Sequence, residues 1–341
     1  MKTYRNLWEQ IVTFEALHTA YLKARRGKRY DADTLRFSIN LEQEIVALLN
    51  GLQDGTYHTG EYRRFNVFEP KKREVAALPF RDRVVQHAIV TAIEPIFERQ
   101  FSFDSYACRV AKGTHAGADR LTDFLRRANR MWPEVYVLKA DISKYFSSIN
   151  HDVLKAILRR KIACLKTLEL LNGIIDSWSI ETGKGVPIGN LTSQLFANVY
   201  LNELDKFIKQ ELHWRFYLRY MDDFVLVGRN KIVLNQAKNA IQKFLRSRLL
   251  LELNHKTSIF PAKQGVDFLG FRIWKTHRLL RKRSVIGMRR KLTVFQTRYA
   301  KGEIGQDKIQ ASITSWLGHI KHANAYTLQK KLFENLILRR E

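Results

Sequence analysis

Residues 215–228, RFYLRYMDDFVLVG, place two aromatic and aliphatic runs on either side of adjacent carboxylates, Asp222 and Asp223. Residues that favour pleated structure, interrupted by turn-forming Asp, predict a hairpin with both acids at its tip. No other segment limits the fold so narrowly, because a hairpin with apolar arms needs further strands or a helix to cover it. A solvated turn is the plain reading of the acids. A metal site is the sharper one, since the chain carries 59 Lys and Arg against 33 Asp and Glu, a formal net charge of +26.

That charge points to polyanionic partners, nucleic acid first. At 341 residues and 45% hydrophobic content the chain has enough apolar material for sizeable cores, so it is not a disordered polycation. No apolar run approaches the ~20 residues that span a bilayer. The N-terminus contains acids and lacks a signal-peptide pattern, so a cytoplasmic location is expected. Cys108 and Cys164 are too few and too far apart for a disulfide scaffold or a zinc site.

Periodicity supplies the frame. Residues 134–141, EVYVLKAD, alternate: Val135, Val137, Lys139 and Asp141 project one way and Tyr136, Leu138 and Ala140 the other, a strand with a carboxylate at its end. Helical spacing marks 41–52, with Gly51 near its end, and 82–97 through Val84, Ala88, Ile89 and Ala92. It returns in 193–212 through Phe196, Tyr200, Leu204, Phe207 and Ile208, and in 231–249 through Val233, Ala237, Ile241 and Phe244. A hairpin is expected from Tyr57 around a basic turn, PKKR, and further strands at LLLEL and DFLGFRIW. From Thr276 the chain reads as helical and strongly basic. The order predicts an α+β fold, an antiparallel sheet with helices on one face. Its parts are 1–133, 134–275 and 276–341.

If the strand ending at Asp141 neighbours the hairpin, three carboxylates converge at one sheet edge, which is costly without a cation. Hard oxygen ligands of this kind suit Mg²⁺ bound together with substrate phosphates. Two such ions ~3.5–4 Å apart serve in-line displacement at phosphorus.

Several segments in order resemble a reverse transcriptase. LKADISKYFSSI resembles the strand motif with the first catalytic aspartate, and YMDD the second catalytic motif. GNLTSQLFANVYL resembles the glycine loop and helix between them, and NHKTSIF with FLGF the later palm motifs. Upstream, KKREVAALPFRDRVVQHAI, IEPIFERQFSFDSYACR and GTHAGADRL resemble finger segments of group II intron-type bacterial enzymes. The resemblance covers about residues 60–275 and implies a right-hand polymerase with fingers, a ferredoxin-like palm and a helical thumb. It implies that Asp141, Asp222 and Asp223, with the Ile142 carbonyl, bind two Mg²⁺ ions, Mn²⁺ being able to substitute. Phe146 matches the steric gate against a 2′-hydroxyl. Arg73, with Lys71 or Lys72, matches residues that hold the incoming triphosphate, and Lys256 a lysine that protonates departing pyrophosphate. Gly189 matches a glycine that lets the backbone approach the nucleotide. Template RNA, the RNA/cDNA duplex and dNTPs are the implied partners.

The glycine loop departs from the intron-type pattern of Gln-Gly, three residues, then Ser-Pro. Here it reads Ile188, Gly189, NLT, Ser193, Gln194. Both changes resemble reverse transcriptases of diversity-generating retroelements, which imply cDNA synthesis with errors at template adenines and a small basic pentameric accessory protein. A Gln before the glycine can hydrogen-bond near the nucleotide, whereas Ile188 can only pack, and polar contacts discriminate more strongly than apolar fit. A retron or antiphage-defence enzyme and a noncatalytic maturase-like RNA-binding protein are the alternatives. No nuclease, ribonuclease H or zinc-binding motif is visible in the sequence. Trp316 and Tyr326 in the basic C-terminal region read as core at helical spacing or as base-stacking groups.

Overall fold

The structure, a computed structural model, describes residues 2–68, 72–334 and 336–340. Four helices open the chain, α1 (Trp8–Ile11), α2 (Phe14–Ala24), α3 (Ala32–Ile39) and α4 (Leu41–Gln53), followed by a hairpin of β1 (Arg63–Val67) and β2 (Arg73–Ala77). Next come α5 (Phe80–Glu98), α6 (Thr114–Met131), β3 (Tyr136–Ala140), α7 (Tyr145–Ser148), α8 (His151–Arg159), α9 (Leu165–Asp176) and α10 (Leu191–Lys206). The acidic hairpin is β4 (Tyr217–Tyr220) and β5 (Asp223–Gly228), followed by α11 (Lys231–Phe244). Strands β6 (Ser258–Pro261), β7 (Val266–Phe268), β8 (Phe271–Ile273) and β9 (Arg278–Leu280) precede α12 (Lys282–Ala300), α13 (Gln306–Ile320) and α14 (Tyr326–Phe333). Among the described residues no helix is long and apolar enough to cross a membrane.

The chain divides into two compact units: Met1–Cys108, Asp141–His213 and Asn239–Lys256 in one, and Arg109–Ala140, Trp214–Lys238 and Thr257–Glu341 in the other. Each unit is therefore assembled from three separate stretches of the chain. The physical reason is antiparallel pairing, which gathers strands from distant stretches into one sheet.

In the first unit α5 packs against α2 and α10. Cover on several sides explains why Val84, Val85, Ala88, Ile89 and Ile93 are all buried, and not only the single face that periodicity picks out. Tyr21, Phe37 and Phe80 close the α2 end, with the rings of Phe37 and Phe80 5.3 Å apart, edge to face. Helix α10 runs on into a π-helical turn, Phe207–Glu211, and α11 into another, Leu245–Leu249; the rings of Phe207 and Phe244 stack at 4.3 Å. The second turn takes Leu249 from the strand predicted for LLLEL, Leu250 after it is left-handed at φ 52°, and of the rest only Leu253 pairs, as a single bridge with Ile142.

The second unit contains the four-stranded sheet, in the order β4-β5-β3-β6, all antiparallel. Tyr136 pairs with Gly228 and Ala140 with Phe224, so the C-terminal end of β3 lies beside the start of β5. Phe216, buried just before β4, meets Phe124 of α6 at 5.4 Å and Trp132 at 5.7 Å. Strands β7, β8 and β9 form a second sheet, so the segment from Thr276 begins with a strand and becomes helical only at Lys282. In the terminal helices Met288, Leu292, Phe295, Ile304 and Ile309 make their own core. Trp316 packs against it, as helical spacing predicts, whereas Tyr326 is 84% exposed and belongs to no core.

Truncating Phe216 to Ala leaves a cavity between two aromatic rings and is expected to cost about 3–5 kcal/mol, read as a lowered midpoint in chemical denaturation.

Candidate active site

The acidic turn belongs to the second unit. Tyr220 pairs with Asp223, so the hairpin closes through only two residues, Met221 and Asp222. Met221 takes a left-handed φ of 56°, which costs a residue with a Cβ roughly 1–2 kcal/mol. Arg219 holds this turn from beneath: its side chain is fully buried, and Nη1 donates to the Met221 carbonyl at 2.9 Å. The sequence reading missed Arg219; a lone Arg inside an otherwise apolar strand was the available signal. Asp223 Oδ1 lies 3.8 Å from Lys139 Nζ, a half-exposed pair worth at most ~1 kcal/mol.

Asp141 follows β3 directly and belongs to the first unit, where a second chain segment fixes it. Its carbonyl accepts from the Asn254 N–H at 2.7 Å and its Oδ2 from Asn254 Nδ2 at 3.1 Å. The Ser143 N–H donates to the Glu252 carbonyl at 2.9 Å. These two backbone bonds flank the Ile142–Leu253 bridge, so Ile142 exchanges none with Leu253 and its own carbonyl points away from that partner. Asn254 Oδ1 also accepts from the Lys256 N–H at 3.0 Å, while Lys256 itself is exposed. Asn254 thus ties one carboxylate to the segment that bears Lys256, a role that the sequence reading did not assign.

The remaining residues of the first unit form a connected group. Phe146, half-buried, accepts through its carbonyl from the Val186 N–H at 2.9 Å, at the start of the glycine loop. The Ile188 carbonyl accepts from the Ala76 N–H of β2 at 2.9 Å. Gly189 has φ +126°, and a Cβ there would lie 2.9 Å from Val75 Cγ1 and 3.0 Å from the Ala76 carbonyl oxygen. The missing Cβ is thus required against strand β2, a neighbour that the resemblance did not name. Arg73 is exposed and shares a face of β2 with Val75. Lys72 and Gln194 are exposed, Ser193 is buried, and Lys71 lies outside the described residues.

Below the loop, α5 carries two buried polar residues one turn apart, Asp82 and Gln86. Asp82 Oδ1 accepts from the Tyr57 hydroxyl at 2.7 Å, and burial raises the Asp82 carboxyl above its ordinary range. Burial, then the neighbouring Asp82 charge, push the Tyr57 phenol up as well. Burial likewise raises Tyr62, whose hydroxyl lies 3.0 Å from Ser177 Oγ and accepts from Asn190 Nδ2 at 3.3 Å.

Among the described residues no three His, Cys, Asp or Glu side chains gather into a metal cage of their own. A small hard cation that keeps waters and shares substrate phosphates needs only one or two carboxylates, and Asp oxygens and a backbone carbonyl are donors of that class.

Replacing Arg219 with Met keeps the apolar stem and strips the Met221 carbonyl of its buried donor. A loss of about 1–3 kcal/mol is expected, measured by chemical denaturation.

The family described as Reverse transcriptase (RNA-dependent DNA polymerase) matches residues 68–273. Protein YkfC of Escherichia coli (strain K12) is 29% identical over 328 residues, covering 82% of this chain and 81% of its own. The Group II intron-encoded protein LtrA of Lactococcus lactis subsp. cremoris is 24% identical over 304 residues, covering 68% of this chain and 50% of LtrA, so the chain spans about half the length of that relative. Among solved structures, apo telomerase from Candida tropicalis, truncated from its C-terminal domain, aligns with a TM-score of 0.50 at 15% identity. That alignment covers 66% of this chain and 55% of the telomerase chain, and the likeness is one of fold. With its matched segment spanning both the Asp141 strand and the acidic hairpin, the chain belongs to the reverse transcriptase family, the RNA-directed DNA polymerases.

Proposed function

We propose that this reverse transcriptase makes cDNA from a template RNA with Asp141, Asp222 and Asp223 as its catalytic carboxylates, and that it is error-prone at template adenines as part of a diversity-generating retroelement. The observation that carries the catalytic part is the β3–β5 register. Ala140 opposes Phe224, so the residue after β3 and the residues before Phe224 are Asp141 on one strand and Asp222 and Asp223 on the other.

In this reading Asp141, Asp222, Asp223 and the Ile142 carbonyl would hold two Mg²⁺ ions, which when bound activate the primer hydroxyl and offset charge on the triphosphate. The protein does the rest by positioning. Arg73 and Lys72 make charge-assisted contacts to the triphosphate. Phe146 closes the space that a 2′-hydroxyl would need, and Lys256 donates a proton towards the departing pyrophosphate. The basic C-terminal helices grip the template–primer duplex through its phosphates. The first segment through the hairpin of β1 and β2 acts as fingers, the four-stranded sheet as palm and residues 276–341 as thumb.

The retroelement part is supported by sequence, the Ile188-Gly189 and Ser193-Gln194 pairs of the glycine loop. A second reading, an intron-borne enzyme with a maturase-like RNA-binding role, is supported by the resemblance to LtrA.

Primer extension on the RNA flanking its own gene, with Mg²⁺ and with or without a small basic accessory protein, tests the whole. Wild type is expected to yield cDNA and Asp222→Asn none, while Phe146→Ala is expected to accept ribonucleotides. Sequencing the product separates the two readings: errors concentrated at template adenines and reduced by Ile188→Gln support the retroelement, and faithful copying of adenines overturns it.

A further inference from the structure

The glycine loop and the start of α10 are held in an unusual way. Asn is a common helix cap that satisfies the first turn with its own side-chain oxygen, yet Asn190, at the N-cap of α10, makes no such bond. Its amide is directed outward, to the Tyr62 hydroxyl at 3.3 Å. Ser177 Oγ donates to the Ile174 carbonyl at 2.8 Å, so the Tyr62 hydroxyl, 3.0 Å away, donates to Ser177. The bonds run one way, from Asn190 through Tyr62 and Ser177 to a helix carbonyl. The first N–H of α10 is met from another helix instead: Gln86 Oε1 of α5 accepts from the Leu191 N–H at 3.2 Å.

Four consecutive residues are thereby anchored from outside the loop. The Ile188 carbonyl is tied to Ala76, Gly189 is wedged on Val75 and Ala76, Asn190 is tied to Tyr62, and Leu191 to Gln86. Gln86 and Asn190 are both buried, and Gln86 Nε2 has no hydrogen-bond partner. A buried amide with only its oxygen engaged has the bond to Leu191 as its visible purpose.

We propose that Gln86, seconded by Tyr62, is a positioning residue for the incoming nucleotide, a helix cap supplied in trans that fixes the glycine loop from behind. The role rests on the polymerase reading above, in which that loop faces the nucleotide. Ile188 offers no polar side-chain contact, so the height of the loop backbone is what sets the fit there. Loosening the strut enlarges the set of loop positions and weakens nucleotide binding more than it slows the step that follows.

The test compares Gln86→Met, close in length but without an acceptor, with Gln86→Glu, which keeps an acceptor oxygen at the positive end of a helix. Gln86→Met is expected to raise KM for dNTP about tenfold with kcat nearly unchanged, the pattern of lost binding. Gln86→Glu is expected to return KM close to wild type. Hydrogen exchange at the Leu191 amide reads the strut without any catalysis, and it should quicken in Gln86→Met and recover in Gln86→Glu. Tyr62→Phe, which keeps the ring against Trp178 (centroids 4.9 Å apart), is expected to raise KM in the same direction. Exchange that responds while KM does not, or a loss that Gln86→Glu fails to recover, overturns the positioning role. Failure of the wild type to incorporate any dNTP overturns the polymerase reading itself and the nucleotide role with it, a result distinguishable because the exchange measurement still reports on the strut.

Discussion

The antiparallel pairing of β3 with β5 is the constraint on which the rest of the molecule depends. Side chains alternate along a strand, so a slip of one residue would send every side chain of β3 to the opposite face of the sheet. Val137 and Leu138 are both fully buried, which makes such a slip expensive and pins the pairing of Ala140 with Phe224. The same pairing decides which residues follow the end of β3 and which precede Phe224. Core packing and the placement of chemistry are thus one decision. The strained Met221 and the buried Arg219 beneath it show the local cost of a two-residue turn that carries one acid and leads straight into another.

Within the first unit, contacts that look structural fall on residues with chemical assignments. Asn254 uses both ends of its amide, one on the Asp141 carboxylate and the other on the backbone of Lys256. Strand β2, whose first residue is Arg73, is bonded to the glycine loop through Ala76. The triphosphate contact proposed for Arg73 and the nucleotide approach proposed at Gly189 would in this way be linked through a few backbone atoms. Such closeness allows no Cβ at Gly189.

Charge has two levels. The excess of Lys and Arg is a long-range attraction for polyanions, screened by salt and indifferent to sequence. The few carboxylates at the ends of β3 and β4 are local, and one of them, Asp223, pairs with Lys139 at 3.8 Å.

Much of this was legible in the chain alone. Period-two alternation at 134–141 and the apolar arms around Asp222 and Asp223 located the strands, and the ordered motifs pointed to the family, because these signals reside in local spacing. The LLLEL segment misled for the same local reason: its composition favours a strand, but Leu249 ends a π-helical turn and Leu250 is left-handed, which leaves only Leu253 to bridge. The start of β9 was missed because three residues carry too little pattern. Asn254 and Gln86 were invisible as actors, since each reaches a group, Asp141 or the Leu191 N–H, that only folding brings near. By itself the sequence determined which residues carry charge, which are apolar and which strands can form. Only the tertiary structure decided that Asn254 holds the Asp141 carboxylate, that Gly189 meets β2, and that α10 is capped from α5, because contacts between distant segments depend on packing that no local pattern records.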